Sequence, residues 1–360
     1  MGIISWIKDK YYDISFQKAK TLIAEGDTDE AIRVLESILE KHPNAPQTLL
    51  EVYHSMILRE KINSYLDTMD TKNSIIEVSF FGGTFTAIPV AKQKELLAVA
   101  REYKDKGFIH KIRLSTRPDA INGYILNYLK EFKVDIIELG VQSLDDNVLR
   151  LAGRGHSVND VENASRLIKE EGFTLGHQIM PGLPGDTKEI DLVTIKKSIE
   201  MKPDIARIYP ALVIKDTPME IMYNRGEYKP YSLEMAVKVS REMLKLYNEA
   251  KVKVIRIGLQ PTDTIAEGKD VVAGPFHPAF RELVEGSLIC ENIKKKINEK
   301  SDIIIEINSK DVSKLYCNKK QYFNKFKENR HGKVYVKTVD KIKRGRVRVT
   351  VIEKVEEFKI

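Results

Sequence analysis

The stretch Ile75-Ile-Glu-Val-Ser-Phe-Phe-Gly-Gly-Thr-Phe-Thr86 decides the fold class, because a run of β-branched and aromatic residues ends abruptly at two glycines. The run predicts a buried strand. Gly82 and Gly83 carry no Cβ, so a bound molecule can approach their backbone amides, and the hydroxyls of Thr84 and Thr86 add hydrogen-bonding groups. An ordinary strand-to-helix turn fits the same spacing equally well, so the surrounding sequence has to decide.

The composition is that of a globular protein with a surplus of positive charge. Of 360 residues, 42% are hydrophobic and 31% are charged, and no apolar run approaches the ~20 residues of a membrane span. Residues 1–8 are too short and too soon charged for a signal peptide. We therefore expect a cytoplasmic protein without membrane attachment. The net charge of +7 favours an anionic partner such as RNA, although the lysines can also merely solvate the surface.

Residues 14–43 carry two amphipathic patterns that are joined at Gly26-Asp27 and closed by Pro43. They resemble one tetratricopeptide hairpin, and we expect a helical region over residues 1–70. A single unit of this kind cannot bury its apolar face alone, so it must pack on residues 44–70 or on the following domain. Two roles of this region are open: it is a partner-binding module, or it is a helical cap over a sheet edge.

From Ile75 onward, strand-like runs alternate with amphipathic helices, which predicts βα units around a parallel sheet. Ser157, with Asp160 three residues later, predicts the start of one of these helices. Every strand ends in a polar or glycine-containing cluster, and the carboxyl ends of parallel strands form one binding face. The predicted strands are residues 75–81, 111–116, 135–141, 174–180, 204–210 and 252–259.

Residues 298–360 change to short alternating strands and predict a small α+β tail. This tail is rich in lysine and arginine, with Tyr316, Tyr322, Phe323 and Phe326 interleaved. Basic and aromatic residues together are typical of RNA binding, by phosphate contacts and base stacking. A solvated charged surface is the alternative.

Seven motifs carry a resemblance to a known family: Phe80-Phe-Gly-Gly-Thr-Phe85, Thr116-Arg-Pro-Asp119, Glu138-Leu-Gly-Val-Gln-Ser143, Gly153-Arg-Gly-His156, Met180-Pro-Gly-Leu-Pro-Gly185, Ile208-Tyr-Pro-Ala-Leu-Val-Ile-Lys215 and Gly226-Glu-Tyr-Lys-Pro230. From about Ser64 to Gly286 the chain resembles radical S-adenosylmethionine (SAM) enzymes, in particular the radical domain of the Elongator catalytic subunit. Oxygen-independent coproporphyrinogen oxidase is a more distant likeness. The resemblance implies an α/β fold with a partial (β/α)6 TIM-like barrel, which we assign to residues 71–297.

The resemblance also implies a SAM pocket. Gly82, Gly83 and Thr84 match the loop that holds the methionyl amino group, while Gln142 and Arg154 match positions that line the pocket. An arginine and an amide supply the fixed cation and the donors that a carboxylate and a ribose need. Two alternatives stay open: Arg154 pairs only with a nearby carboxylate such as Asp145, or Gln142 only caps a strand.

This chain departs from its relatives at three places. Ser115 stands where several relatives carry an acidic residue, and Gln178 stands where the porphyrinogen enzyme has an aspartate; we keep both as pocket candidates. The family's [4Fe–4S] cluster needs a Cys-x(n)-Cys-x2-Cys loop, yet no cysteine precedes Cys290. We therefore predict no metal ligands and name no catalytic residue. Three explanations fit the missing cysteine loop: the chain is a degenerate paralogue, its reading frame was misread, or it borrows a cluster from a partner.

The family function is reductive cleavage of SAM to a radical, which in the Elongator-like branch serves modification of a tRNA uridine. The resemblance therefore implies tRNA modification as the function. The alternative is a non-catalytic barrel that binds RNA or a protein partner, the latter through the N-terminal helices.

Overall fold

The computed structural model describes residues 16–25, 27–41, 47–82, 84–261, 265–266 and 269–352, so the predicted pocket residue Gly83 lies outside the described residues. The chain forms two compact units. The first contains residues 1–139 and 167–174, and the second contains residues 140–166 and 175–360. None of the described helices is long and apolar enough to cross a membrane.

Three helices begin the first unit: α1 (residues 16–25), α2 (Thr28–Lys41) and α3 (Gln47–Thr68). The buried residues Ala19, Leu35 and Met56 join all three in one apolar cluster. Helix α3 then packs on α4 (Val90–Asp105), where Arg59 donates to Glu102 at 2.5 Å. The prediction that the hairpin buries its face on residues 44–70 is thereby confirmed.

Six strands form one sheet in the order β1-β2-β3-β4-β5-β7. Within the units, β1 and β2 pair in parallel, as do β4 with β5 and β5 with β7. The predicted α/β class and partial parallel barrel are confirmed, and all six predicted strands are present. The strands are β1 (Glu77–Phe80), β2 (Lys111–Thr116), β3 (Ile136–Gln142), β4 (Thr174–Ile179), β5 (Ile205–Ile208) and β7 (Lys253–Ile257). The sequence did not reveal the short antiparallel pair β6 (Val213–Ile214) and β8 (Val271–Ala273).

Helices occupy the connections between the strands. Helix α7 (Val158–Glu170) begins where predicted, because the backbone N–H and the hydroxyl of Ser157 both donate to the Asp160 carboxylate at 2.7 Å and the backbone N–H of Asp160 donates to Ser157 Oγ at 3.2 Å. The remaining helices are α5 (Gly123–Glu131), α6 (Asp146–Leu151), α8 (Lys188–Glu200), α9 (Pro218–Asn224), α10 (Leu233–Glu249) and α11 (Phe280–Lys296).

The C-terminal part of the second unit is a three-stranded sheet with one helix, as the sequence predicts. The central strand β9 (Ile303–Ile307) pairs in parallel with β10 (Val334–Thr338) and antiparallel with β11 (Val347–Val351). Helix α12 (Val312–Glu328) is broken by three consecutive residues of positive φ, Asn318 to Lys320. The isoleucines of β9 pack on Phe323 and Phe326 of α12 and on Cys290 of α11.

Candidate functional site

The carboxyl ends of β3 and β4 meet at a strained residue. Gln142, the last residue of β3, has a φ of +65°, a conformation that non-glycine residues seldom adopt. Its carbonyl accepts the amide N–H of Met180 at 2.8 Å, at the end of β4. Backbone strain of this kind is concentrated at functional sites.

The segment after α6 supplies the charged group of this site. Gly153 and Gly155 have φ values of +62° and +68°, and these turns on either side of Arg154 reverse the chain after the helix. The Arg154 guanidinium lies 3.1 Å from the sulfur of Met180. The Nε2 of His156 lies 3.2 Å from the carbonyl oxygen of Val141.

Two buried nitrogen atoms at this place have no hydrogen-bond partner among the described residues: Nε of Arg154 and Nδ1 of His156. Burial lowers the pKa of Arg154, because its positive charge is removed from water without compensation. Buried charges in proteins are normally paired. The alternative in which Asp145 is that partner is wrong, since Asp145 caps α6 and accepts the N–H groups of Asn147 and Val148 at 3.0 Å.

The two nitrogens define what a ligand must offer. The guanidinium of Arg154 suits a carboxylate, which it can bind with two parallel N–H donors. A carbonyl oxygen only accepts, so Nε2 of His156 carries the proton that it donates to Val141. In the neutral ring, Nδ1 then has a free lone pair, which can accept a hydrogen bond from a hydroxyl or an ammonium group.

The other predicted site residues lie in both units. In the second unit, Gln178 is half-buried near the end of β4. In the first unit, Ser115 is buried on β2, and a side chain at Gly82, where φ is +134°, would have open space around it. Thr84 makes no side-chain capping bond to the short helix Phe85–Ala87 that follows it. The role of these residues in ligand binding stays a prediction.

Thr86 does not act as the free hydroxyl that the opening stretch suggested. It is buried, and its Oγ1 lies 2.6 Å from Thr116 Oγ1 and 2.6 Å from the Ala120 carbonyl. These bonds tie the loop after β1 to the loop after β2. The hydroxyl is therefore structural.

A buried pair of carboxyl groups near the β4 loop escaped the sequence analysis. Tyr231 donates to Asp191 at 2.8 Å, and Asp186 accepts the N–H of Gly182 at 3.3 Å. Burial and the neighbouring Asp186 raise the pKa of Asp191 to about 9. Tyr228 donates to the Gly182 carbonyl at 2.6 Å. This tyrosine belongs to one of the quoted motifs, which was the available signal.

A [4Fe–4S] cluster does not fit the residues of this chain. Cluster ligands are thiolates, and both cysteines, Cys290 and Cys317, lie in helices α11 and α12. Burial raises the pKa of Cys290 to about 12 and that of Cys317 to about 11, which keeps both thiols protonated. The described residues also contain no group of three metal-ligating side chains.

Comparison with known families identifies the parallel sheet region. Residues 51–195 match the radical SAM superfamily, and residues 203–289 match the radical SAM C-terminal domain. This region is a radical SAM domain. A tetratricopeptide repeat matches residues 13–52, where the sequence predicts a hairpin.

The relatives of this radical SAM domain include tRNA uridine(34) acetyltransferases. The protein of that name from Methanocaldococcus infernus is 35% identical over 184 residues, which are 46% of this chain and 34% of that protein. Elongator complex protein 3 of Saccharomyces cerevisiae is 27% identical over 191 residues, 48% of this chain and 34% of that protein. The chain thus spans about a third of the length of these curated relatives.

One solved structure agrees with this assignment. The archaeal Methanocaldococcus infernus Elp3 with an N-terminal deletion superimposes with a TM-score of 0.57 at 28% identity, over 70% of this chain and 61% of that one. The radical SAM coproporphyrinogen III oxidase of Escherichia coli is more distant, with a TM-score of 0.43 at 19% identity over 57% of this chain and 47% of that one.

Proposed function

We propose that this radical SAM domain binds S-adenosylmethionine with its methionyl carboxylate on Arg154, and that the chain acts in the modification of tRNA. The observation that carries the proposal is the buried Nε of the half-buried Arg154, which has no acceptor among the described residues. The part of the proposal that concerns tRNA rests on the names of the relatives, because these proteins are called tRNA uridine(34) acetyltransferases.

Each side chain has a role in this proposal. Arg154 binds the carboxylate, and Nδ1 of His156 accepts a hydrogen bond from a ribose hydroxyl or from the methionyl ammonium group. The half-buried amides of Gln142 and Gln178 supply further donors and acceptors. For the remaining candidates, we keep the roles that the resemblance implies: the methionyl amino group for Gly82, Gly83 and Thr84, and a pocket wall for Ser115.

The chemistry of bound SAM lies in its sulfonium group, which weakens the three carbon–sulfur bonds. The residues of this chain bind and orient the molecule. Because the cysteines do not fit a [4Fe–4S] cluster, we derive no radical step from this chain's own side chains.

Titration calorimetry on the full chain tests the carboxylate assignment. S-adenosylhomocysteine keeps the amino-acid carboxylate, whereas 5′-methylthioadenosine lacks it. We expect Arg154→Ala to weaken S-adenosylhomocysteine about 10- to 100-fold, which corresponds to one charged hydrogen-bonding group, and to leave methylthioadenosine unchanged. Arg154→Lys should recover part of the loss.

The matched control for this titration is Arg150→Ala. Arg150 lies on α6, four residues earlier, and its exposed guanidinium bonds only locally, to Asn147 at 2.8 Å. Equal affinities of Arg154→Ala and the wild type for S-adenosylhomocysteine would remove Arg154 from the site. A loss that was the same for both ligands would mean that Arg154 shapes the site without contacting the carboxylate.

A non-catalytic barrel that binds RNA or a protein is the second candidate, because no cysteine precedes Cys290. Iron and sulfide analysis after anaerobic reconstitution separates the two. Stoichiometric iron together with formation of 5′-deoxyadenosine from SAM would favour a radical enzyme. SAM binding without either result would favour the binding protein.

A further inference from the structure

A trough runs over helices α10, α11 and α12 of the second unit, on a part of the molecule that the SAM proposal does not use. It consists of two depressions of about 320 and 440 Å³ that share Lys294, Phe326 and Asn329 in their walls. We call these two depressions the helix trough. The matches to radical SAM families end at residue 289, so α12 and the end of α11 are additions to that region.

Positive charge converges on the helix trough from three helices. Lys238 of α10, Lys294 of α11 and Lys325 of α12 are exposed at the first depression. No carboxylate of the described part of the chain forms an ion pair with these three lysines. Two carboxylates line this depression. Glu291 is engaged by Lys295 at 3.0 Å, and Glu234 lies one helical turn before Lys238 on α10. The second depression adds further cations, namely Lys295, Lys296 and Arg330, against the single carboxylate of Glu299.

Local helix electrostatics explain only part of this arrangement. Lys294 lies in the last turn of α11 and Lys325 in the last turn of α12, where a cation favours the helix dipole. Lys238 lies within the body of α10, so the dipole does not account for it. Three like charges held around one depression repel each other, and a ligand with several negative charges would relieve that repulsion.

The floor of the helix trough decides how such a ligand would be held. Cys290 and Phe326 are buried in the apolar core, and so is Phe323 beside them. Tyr322 is only half-buried and lines the first depression. Two of the four tail aromatics, Phe323 and Phe326, are thus core residues, and Tyr316 and Tyr322 pack partly buried against the same core, which leaves little aromatic surface for base stacking. Contacts between the lysines and phosphate groups therefore remain as the principal mode of RNA binding.

We infer that the helix trough binds the phosphate backbone of a folded RNA, with Lys238, Lys294 and Lys325 as the contacting cations. The inference rests on the proposed function in that tRNA is the RNA expected. It adds a binding surface that lies partly in the tail, separate from Arg154. An acidic protein partner is the competing occupant, which the test has to exclude.

Fluorescence anisotropy of the full chain with a labelled tRNA transcript, from 50 to 200 mM KCl, tests the inference. We expect the triple variant Lys238→Ala/Lys294→Ala/Lys325→Ala to lose about tenfold or more in affinity at 100 mM KCl. The slope of log Kd against log salt should fall by about 2 to 3, since each phosphate contact contributes roughly one unit.

The matched control removes the same charge elsewhere on the tail, in Lys333→Ala/Lys337→Ala/Lys343→Ala. These lysines are exposed and lie outside the helix trough. Equal losses in both triple variants would show non-specific attraction by net charge and would overturn the inference, as would an unchanged trough variant. A poly-glutamate peptide of equal charge that bound the wild type as tightly as the tRNA would also overturn it.

A second readout keeps this inference distinguishable from the proposed function. The trough variant should bind S-adenosylhomocysteine like the wild type, and Arg154→Ala should bind the transcript like the wild type. Normal binding of S-adenosylhomocysteine also shows that the trough variant is folded. The wild type and all variants could fail to bind SAM while RNA binding still depends on the helix trough. In that case the SAM proposal fails and the trough inference stands.

Discussion

Arg113 is buried and Arg154 is half-buried, and the two arginines have opposite surroundings. In the first unit, Arg113 donates to Glu77 on β1 at 2.6 Å and to Glu138 on β3 at 2.5 Å. In the second unit, Arg154 contacts a methionine sulfur, and its Nε has no acceptor among the described residues. Both charges were removed from water when the chain folded, but only that of Arg113 is compensated by carboxylates.

A structural cation and a ligand-binding cation can be distinguished by their partners. Arg113 pairs with the buried Glu138 and the half-buried Glu77 across three neighbouring strands, so Arg113 holds the sheet together. A buried cation without a carboxylate destabilises the protein that carries it. Such a cation is retained where a ligand completes it, and this is the physical reason for assigning Arg154 to a ligand. The following predictions test the two halves of the comparison.

The largest effect is expected for Arg113→Met. Removal of the cation takes the Arg113 guanidinium away from Glu138, whose side chain is only 1% exposed. We expect the free energy of unfolding to fall by about 3–5 kcal/mol, as for other broken buried ion pairs. Urea unfolding at pH 7 measures it. The double variant Arg113→Met/Glu138→Gln should recover part of the loss; no recovery would mean that packing and not charge is responsible.

The next effect concerns Asp191, a buried carboxyl whose neighbours are Asp186, Tyr228 and Tyr231. Its pKa is raised to about 9, so between about pH 4 and pH 9 the folded state holds a proton that the unfolded state has released. Stability from this group is complete at low pH and is lost as the pH rises to 9. We expect Asp191→Asn to raise the unfolding free energy by about 1–2 kcal/mol at pH 8 and to have little effect at pH 4. A variant that was destabilised equally at both pH values would contradict the raised pKa.

The smallest effect is expected for Ser157→Ala, three residues after Arg154. Ser157 caps α7 through reciprocal bonds with Asp160, so its loss should cost about 1 kcal/mol of unfolding free energy. Affinity for S-adenosylhomocysteine should stay within about twofold, because the turn glycines and not the cap set the backbone of Arg154. A large loss of affinity would show that the cap positions the arginine.

The sequence predicted the positions of the strands well and the contacts of the polar side chains poorly, for physical reasons. Five of the six sheet strands are short runs that end within two residues of a glycine or proline, and this signal is local. Strands β6 and β8 contain only two and three residues, too few to show any period. The burial of Phe323 and Phe326 was readable from their i, i+3 spacing, but Lys325 between them and the lysines around them suggested RNA instead.

The candidate site was predictable only through motif resemblance. That resemblance selected Gln142 and Arg154, but the missing partner of Arg154 depends on Asp145 turning away to cap α6, which no spacing reveals. The surroundings of Asp191 depend on Tyr231, which lies 40 residues later in the chain, so no local spacing reveals them. The domain boundaries at residues 70 and 297 stay a prediction.

The assignment of Arg154 as the residue that binds a ligand carboxylate can be tested with the variant Arg154→Met. Urea unfolding of the wild type and the variant should be measured with and without S-adenosylhomocysteine. Without ligand, we expect the variant to be about 1 kcal/mol more stable, because an uncompensated buried charge has been removed.

With ligand at about 100 times its Kd, the wild type should gain about 2.7 kcal/mol and the variant much less, so the order of stability reverses. A variant that is clearly less stable than the wild type without ligand, and that gains as much with it, would show that Arg154 is a structural residue and would contradict the account.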